Sequence, residues 1–217
     1  VIKFFKEPAI DKIQEKIPGD LGEGLIFIIG MPRSGTTLTE SIIATSEDSV
    51  AGGEKVFFSV NCRPIINQYQ NGNLKSEALL KLGVAYLDLI DIQRKGKRIF
   101  IDKMPENYLY YKFIQISLPL AKVINVHRDP WDNAISLFKQ NYVNEITYAS
   151  SFFGIALEYA NYEHLMKKWK SETDQNILDV NYQDLVTKTE DTAKEIWDFC
   201  KLPGKYEKMR RKEYFAQ

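Results

Sequence analysis

Short apolar runs alternate with longer amphipathic stretches along this chain. Four runs are almost wholly apolar and end in polar residues, at positions 25–29, 98–101, 123–126 and 177–180. Such runs are typical of strands buried on both faces of a sheet. Helical patterns separate them, over residues 36–44, 61–95 with a break at 71–73, 108–117, 130–138, 152–170 and 192–200. This alternation predicts an α/β fold of three layers, with a central parallel sheet and helices on both faces.

The domain boundaries follow from the same pattern. Residues 1–20 are predicted to form a short amphipathic helix or linker that ends at Pro18-Gly19, and residues 21–217 a single domain. The chain begins at Val1 and stops at Gln217 without a capping signal. We therefore expect it to be part of a longer protein, trimmed upstream and incomplete at its C-terminus.

Polar residues with binding chemistry come just after each predicted strand. They are Arg33, Lys103, Arg128 and Tyr182. Because the carboxyl ends of parallel strands share one edge of a sheet, ligands bind there. The four residues are predicted to contribute to one site.

The turn after the first strand, GMPRSGTT, has the features of a phosphate-binding loop. Gly30 and Gly35 let the backbone approach an anion, and the N–H groups of the following helix converge on it. Arg33 adds a fixed charge, and Thr37 a hydroxyl. The spacing is that of a P-loop, except that Thr36 replaces the lysine. We therefore predict a P-loop-type site for a nucleotide that is not a triphosphate.

Two further turns carry candidate charges. Arg128, in VHRDP, is a planar fork suited to phosphate, and Ser136 lies about two turns into the next helix. Arg128 could instead pair with a neighbouring carboxylate. In the sequence DKMPEN, Lys103 could reach a transferring group or pair with Asp102. Asp102 alternatively imitates the magnesium-binding aspartate of a nucleoside-triphosphate enzyme.

Five motifs occur in order: GMPRSGTTLTE, GGE, DKMPENY, VINVHRDPWDNAIS and VNYQDLV. Together they resemble the sulfotransferase superfamily over about residues 25–202. They are most like the branch of tyrosylprotein sulfotransferases and bacterial sulfotransferases with tetratricopeptide repeats. The resemblance implies the donor 3′-phosphoadenosine-5′-phosphosulfate (PAPS), the product adenosine 3′,5′-bisphosphate (PAP), and no required metal.

The resemblance also implies residue roles. Glu54, in the GGE motif, would be the general base, and Lys103 and Arg33 the cations that stabilise the departing bisphosphate. The donor-binding residues would be Arg33, Ser34, Gly35, Thr36 and Thr37 for the 5′-phosphosulfate, and Arg128, Ser136 and Tyr182 for the 3′-phosphate and nucleotide. Many relatives carry lysine at position 33, and the segment that often closes over the donor is absent or only begins at Gln217.

The function expected from this resemblance is in-line transfer of a sulfuryl group to a hydroxyl of a protein or peptide tyrosine, a sugar or a small alcohol. His127 is an alternative base, although it precedes Arg128 on a strand and should point away from it. Two other functions stay open. One is a nucleotide or small-molecule kinase that uses ATP–Mg, and the other is a non-catalytic nucleotide-binding relative.

Bulk composition argues against nucleic acid and a membrane as partners. The 29 basic and 29 acidic residues give a net charge of zero, so no overall field attracts nucleic acid or an anionic membrane. No apolar stretch approaches the ~20 residues that span a bilayer. Cys62 and Cys200 are far apart and are expected to be free, buried thiols. We expect a cytoplasmic protein if the source is bacterial, with a possible tetratricopeptide-repeat domain upstream.

Overall fold

The computed structural model describes residues 16–140, 146–172 and 176–203. Five strands form one all-parallel sheet in the order β2-β3-β1-β4-β5. Their bounds are β1 Leu25–Gly30, β2 Ser49–Ala51, β3 Ile99–Lys103, β4 Lys122–His127 and β5 Ile177–Asn181. Helices cover both faces, so the predicted three-layer α/β class is confirmed.

The helices follow the predicted amphipathic stretches, with small changes at their ends. They are α1 Thr36–Ala44, α2 Phe57–Gln70, α3 Ser76–Arg94, α4 Tyr111–Ser117, α5 Pro130–Lys139, α6 Phe152–Glu172, α7 Tyr182–Thr187 and α8 Thr189–Cys200, with 3₁₀ helices at Pro105–Tyr110 and Thr147–Ser150. The helix predicted within residues 1–20 lies mostly outside the described residues, and residues 16–20 form turns and a bend. Within the described ranges, no helix is long and apolar enough to cross a membrane.

Two elements differ from the prediction. β2 has three residues, which is too short to give an apolar period, and it pairs only with β3. α7 has six residues in a stretch for which no helix was predicted, and it begins there because the Asn181 side chain accepts a hydrogen bond from the Gln183 N–H and caps it.

The core divides by strand face, as expected for side chains that alternate along a strand. Leu25, Phe27 and Ile29 of β1 pack with α2, α3, α4 and α6 on one face. Ile26 and Ile28 pack with α1, α7 and α8 on the other. Cys62 and Cys200 are buried, free thiols, one in each cluster, and burial raises the pKa of both to about 12.

The position of β1 determines where a ligand can bind. β3 is hydrogen-bonded on one side of β1 and β4 on the other. The chain therefore leaves β1 in the middle of the sheet, where the strand order reverses, and the turns after β1, β3 and β4 are neighbours. This is the topological switch point at which ligands of open α/β sheets bind.

Candidate functional site

The loop after β1 has a backbone that requires its glycines. Gly30 has a φ of 148°, and a Cβ there would lie 2.2 Å from the Val126 carbonyl oxygen of β4. Gly35 has a φ of 107°, and its Cβ would lie 2.5 Å from the Tyr182 ring. Arg33 adopts a φ of 68° although it is not glycine. A strained, glycine-dependent turn of this kind brings the backbone close to a ligand.

The start of α1 has unsatisfied polar groups. Gly35 caps the helix without a side-chain hydrogen bond, and the first turn contains no acidic residue. Ser34 is fully buried, and its Oγ has no hydrogen-bond partner among the described residues. Thr36 is buried and Thr37 exposed. Free N–H groups at a helix start favour an anion, so this end of α1 fits a phosphate or sulfate group.

Arg128, at the end of β4, is fixed against the loop. Its Nη1 donates to the Arg33 carbonyl oxygen over 3.3 Å, and its guanidinium lies 4.4 Å from the centre of the Tyr182 ring. Its Nε is buried without a hydrogen-bond partner, and no carboxylate pairs with it, within the part of the chain that the structure describes. Arg128 therefore retains donor capacity for an anion, and the alternative pairing with a carboxylate does not occur there.

Helix α5 brings the second motif into direct contact with the loop. The Arg33 Nε lies 3.4 Å from the Ser136 Oγ, so residues expected at the two ends of the donor touch each other. The buried Asn133 side chain donates to the Pro32 carbonyl oxygen over 3.0 Å. Asp129 caps the helix by accepting from two backbone N–H groups. This closeness follows from the pairing of β1 with β4.

Lys103 and Glu54 form an ion pair at the end of β3. The Lys103 Nζ lies 2.5 Å from the Glu54 Oε1, with the lysine side chain 11% exposed and the glutamate side chain 55%. The Glu54 turn runs beside β3, because Gly52 N–H donates to the Ile101 carbonyl oxygen. The structure thus brings together the residues that the sequence proposed as base and cation, and Lys103 pairs with Glu54 rather than with Asp102.

Asp102 lies on the other side of the strand from Lys103. It is 1% exposed, and its Oδ2 accepts a hydrogen bond from the Tyr86 hydroxyl of α3 over 2.6 Å. Burial raises the pKa of Asp102 to about 7, although the bond from Tyr86 acts in the opposite direction. Asp102 therefore belongs to the packed α3 face of the sheet, and its carboxyl group also interacts with the charges of Lys55 and Glu40.

A stability measurement can test this environment. Because the pKa of Asp102 is near 7 in the folded protein and ~3.9 in an unfolded chain, the folded state binds the extra proton between those values. The stabilisation that this bound proton gives to the folded state is complete below the pKa of the aspartate in the unfolded chain. It is lost as the pH rises through about 7, the pKa of Asp102 in the folded protein. Asp102→Asn cannot ionise, so its free energy of unfolding should decline less between pH 5 and pH 8. Urea unfolding of both proteins at both pH values measures this difference; an equal decline would contradict the assignment.

Three carboxylates in the surroundings of the Lys103–Glu54 ion pair were not identified as candidates from the sequence. Glu40 of α1 accepts a hydrogen bond from the Gly53 N–H over 3.3 Å. Burial raises the pKa of Glu106, and the charges of Glu158 and Glu54 add to that effect. Glu158 itself accepts from the Tyr108 hydroxyl over 2.5 Å. Glu40 lies one turn beyond Thr36 and Thr37, and that helical spacing was the available signal.

His127 is poorly placed to act as the base. It is half-buried at the end of β4, where it pairs with Asn181 in the sheet. β1 lies between β4 and β3, so this strand end is two strand spacings, about 10 Å, from that of Lys103. Glu54, in contrast, contacts Lys103 directly.

Comparison with known proteins agrees with the fold. The model of the sulfotransferase family matches residues 26–207. An uncharacterised protein of Aquifex aeolicus (strain VF5) is 30% identical over 218 residues, covering 93% of this chain but 28% of that protein. The chain thus spans less than a third of the length of this relative.

Solved structures share the architecture at low identity. The sulfotransferase domain from the Synechococcus PCC 7002 olefin synthase aligns with a TM-score of 0.61 at 18% identity, over 88% of this chain and 78% of that one. Mouse sulfotransferase SULT7A1, solved in complex with PAP, aligns with a TM-score of 0.52 at 17% identity, over 94% and 67%. With the family model matched along most of its length, the chain belongs to the sulfotransferase family.

Proposed function

We propose that this protein transfers a sulfuryl group from PAPS to an acceptor hydroxyl. The observation that carries the proposal is the arrangement at three adjacent strand ends. A helix start with free N–H groups follows β1, a guanidinium whose buried Nε has no partner among the described residues follows β4, and an ion-paired lysine and glutamate lie at β3. The PAP complex of the structurally similar mouse sulfotransferase supports the choice of donor.

The donor residues proposed from the sequence fit this arrangement. For the 5′-phosphosulfate they are Arg33, Ser34, Gly35, Thr36 and Thr37, and for the 3′-phosphate and nucleotide they are Arg128, Ser136 and Tyr182. The buried Ser34 Oγ and Arg128 Nε lack hydrogen-bond partners in the described chain, and phosphate oxygens would supply acceptors for both. Arg33 would exchange its long contact with Ser136 for the donor.

The chemistry needs a proton acceptor and a positive charge on opposite sides of the sulfur. The acceptor hydroxyl oxygen forms a bond to sulfur while the bond from sulfur to the phosphate oxygen breaks. Glu54 takes the hydroxyl proton. Lys103 and Arg33 stabilise the negative charge that develops on the departing bisphosphate. Glu54 and Lys103 form a 2.5 Å ion pair, and the acceptor hydroxyl would have to replace Lys103 as the partner of Glu54.

The kinase alternative fits the site less well. A transferring sulfuryl group carries less negative charge than a phosphoryl group, so it needs fewer cations, in keeping with Thr36 at the lysine position of a P-loop. Asp102, which would hold the magnesium, is buried and bonded to Tyr86. The non-catalytic alternative gives no role to the Lys103–Glu54 pair, because nucleotide binding alone requires no general base.

The acceptor class and the surroundings of the domain remain predictions from the sequence. Glu54 favours the tyrosylprotein branch, and hence a protein or peptide tyrosine, over a sugar or small alcohol. An upstream tetratricopeptide-repeat domain and a cytoplasmic location have the same status, as does the activity of residues 1–217 by themselves.

Incubation with ³⁵S-labelled PAPS tests the proposal. The acceptor panel should contain a tyrosine peptide, a phenol, an amino sugar and a short alcohol, with γ-³²P-ATP and magnesium as the alternative donor. We expect ³⁵S to move to at least one acceptor and no ³²P transfer. Transfer of ³²P without ³⁵S would overturn the proposal in favour of the kinase.

A further inference from the structure

The turn that carries Glu54 is held by a small set of contacts, among them a hydrogen bond from the Lys55 N–H to the Asp102 carboxylate and the ion pair of Glu54 with Lys103. It connects β2 to α2 and contains two glycines, of which Gly53 has a φ of 66°. Two backbone hydrogen bonds attach it to β3, from Gly52 N–H to the Ile101 carbonyl oxygen and from Lys103 N–H to the Gly53 carbonyl oxygen. The Gly53 N–H takes part in neither of these two bonds.

Glu40 supplies a partner for the Gly53 N–H from a different element. Its Oε1 lies 3.3 Å from the Gly53 N, across 13 residues of sequence. The Glu40 carboxyl group is half-buried and interacts with the charges of Lys103, Glu54 and Lys55, while burial is the largest of the effects that raise its pKa. A half-buried carboxylate that accepts a backbone N–H bond and faces a lysine has a fixed orientation.

We propose that Glu40 is a positioning residue that connects the donor-binding start of α1 to the turn of the general base. Glu40 follows Thr36 and Thr37 at helical spacings of four and three, so its side chain and those of the two threonines belong to one face of α1. Through Gly53 it sets where the Glu54 carboxylate lies relative to Lys103. The inference rests on the proposed function and adds a residue that acts through another, without contact to the reacting atoms.

Two substitutions separate position from charge. Glu40→Gln retains a side-chain oxygen that accepts the Gly53 N–H bond, whereas Glu40→Ala leaves that N–H without its partner. We expect Glu40→Ala to lower kcat by about tenfold or more, because small misplacements of catalytic groups are costly. Glu40→Gln should stay within about threefold of the parent. The KM for PAPS and the Kd for PAP should change by less than about twofold in both, since the loop is intact. Glu47→Ala, on an exposed glutamate beyond the same helix, is the matched control.

Hydrogen exchange tests whether Glu40 holds the Glu54 turn in place, and it does not depend on a measurement of enzymatic activity. Exchange of the backbone amides in residues 52–55 should be roughly tenfold faster in Glu40→Ala and near the parental rate in Glu40→Gln and Glu47→Ala. Unchanged exchange in Glu40→Ala, or an equal loss of kcat in the Gln and Ala variants, would overturn the inference. If the parent protein transfers no sulfuryl group, the proposed function fails, and the exchange rates still decide whether Glu40 holds the turn.

Discussion

Replacing Glu54 by glutamine should slow sulfuryl transfer by about 100-fold or more and leave PAP binding unchanged. Glutamine keeps nearly the same volume but cannot take the acceptor proton, and general-base catalysis contributes ~10²–10⁴-fold. Glu54 lies in the turn after β2, in contact with Lys103 at the end of β3, and not in the loop after β1, so the anion site is preserved in the variant. The measurements are kcat with labelled PAPS and the Kd for PAP by calorimetry.

The control for this variant is Glu47→Gln, which changes the same functional group at an exposed position outside the site. It should retain parental kcat. A kcat for Glu54→Gln within about threefold of the parent would assign the base to another group, since the expected loss is ~10²-fold. A parallel loss of PAP affinity would instead mean that Glu54 supports the donor site.

Replacing Arg128 by alanine should weaken PAP binding by about 2–3 kcal/mol, which is roughly 30- to 150-fold, because hydrogen bonds to charged groups are worth that much. Arg128 offers a buried Nε that no residue of the described ranges contacts by a hydrogen bond, and the Tyr182 ring and the Arg33 carbonyl oxygen fix its orientation. Affinity for adenosine 5′-monophosphate, which lacks the 3′-phosphate, should fall much less. Titration calorimetry with the two nucleotides measures the difference.

Arg98→Ala provides the matched arginine control. Arg98 precedes β3 at the opposite edge of the sheet, where it pairs with Asp48 on the surface, and such pairs contribute little to stability. Its PAP affinity should equal that of the parent. Unchanged PAP binding in Arg128→Ala, or an equal loss for both nucleotides, would show that Arg128 does not bind the 3′-phosphate.

The sequence predicted those parts of the molecule that depend on local pattern. The run from Leu25 to Gly30 is buried at every position, so an apolar stretch was enough to identify β1. Gly30 and Gly35 were recognised because their turn requires conformations that other residues avoid. The grouping of Arg33, Lys103 and Arg128 followed from one rule about the carboxyl ends of parallel strands, and the structure places all three at that edge.

Contacts between distant elements could not be predicted in the same way. Glu40 and Asn133 bond to backbone groups 13 and 101 residues away, and neither has a sequence motif of its own. The direct contact between Arg33 and Ser136 depends on the packing of α5 against the loop, which amphipathicity does not specify. The pairing of Lys103 with Glu54 was not foreseen for the same reason: the sequence suggested a transferring group or Asp102, and the Glu54 turn comes beside Lys103 only because β2 pairs with β3.

The central claim is that one doubly phosphorylated adenosine spans the loop after β1 and Arg128 after β4. Calorimetric titration of the unmodified protein with PAP, adenosine 5′-monophosphate and ATP–Mg tests it most directly. We expect PAP to bind at least about tenfold more tightly than the monophosphate, because the 3′-phosphate adds charged hydrogen bonds worth ~1.5–3 kcal/mol. ATP–Mg should bind more weakly than PAP. Equal affinity for PAP and the monophosphate, or tighter binding of ATP–Mg than of PAP, would contradict the claim.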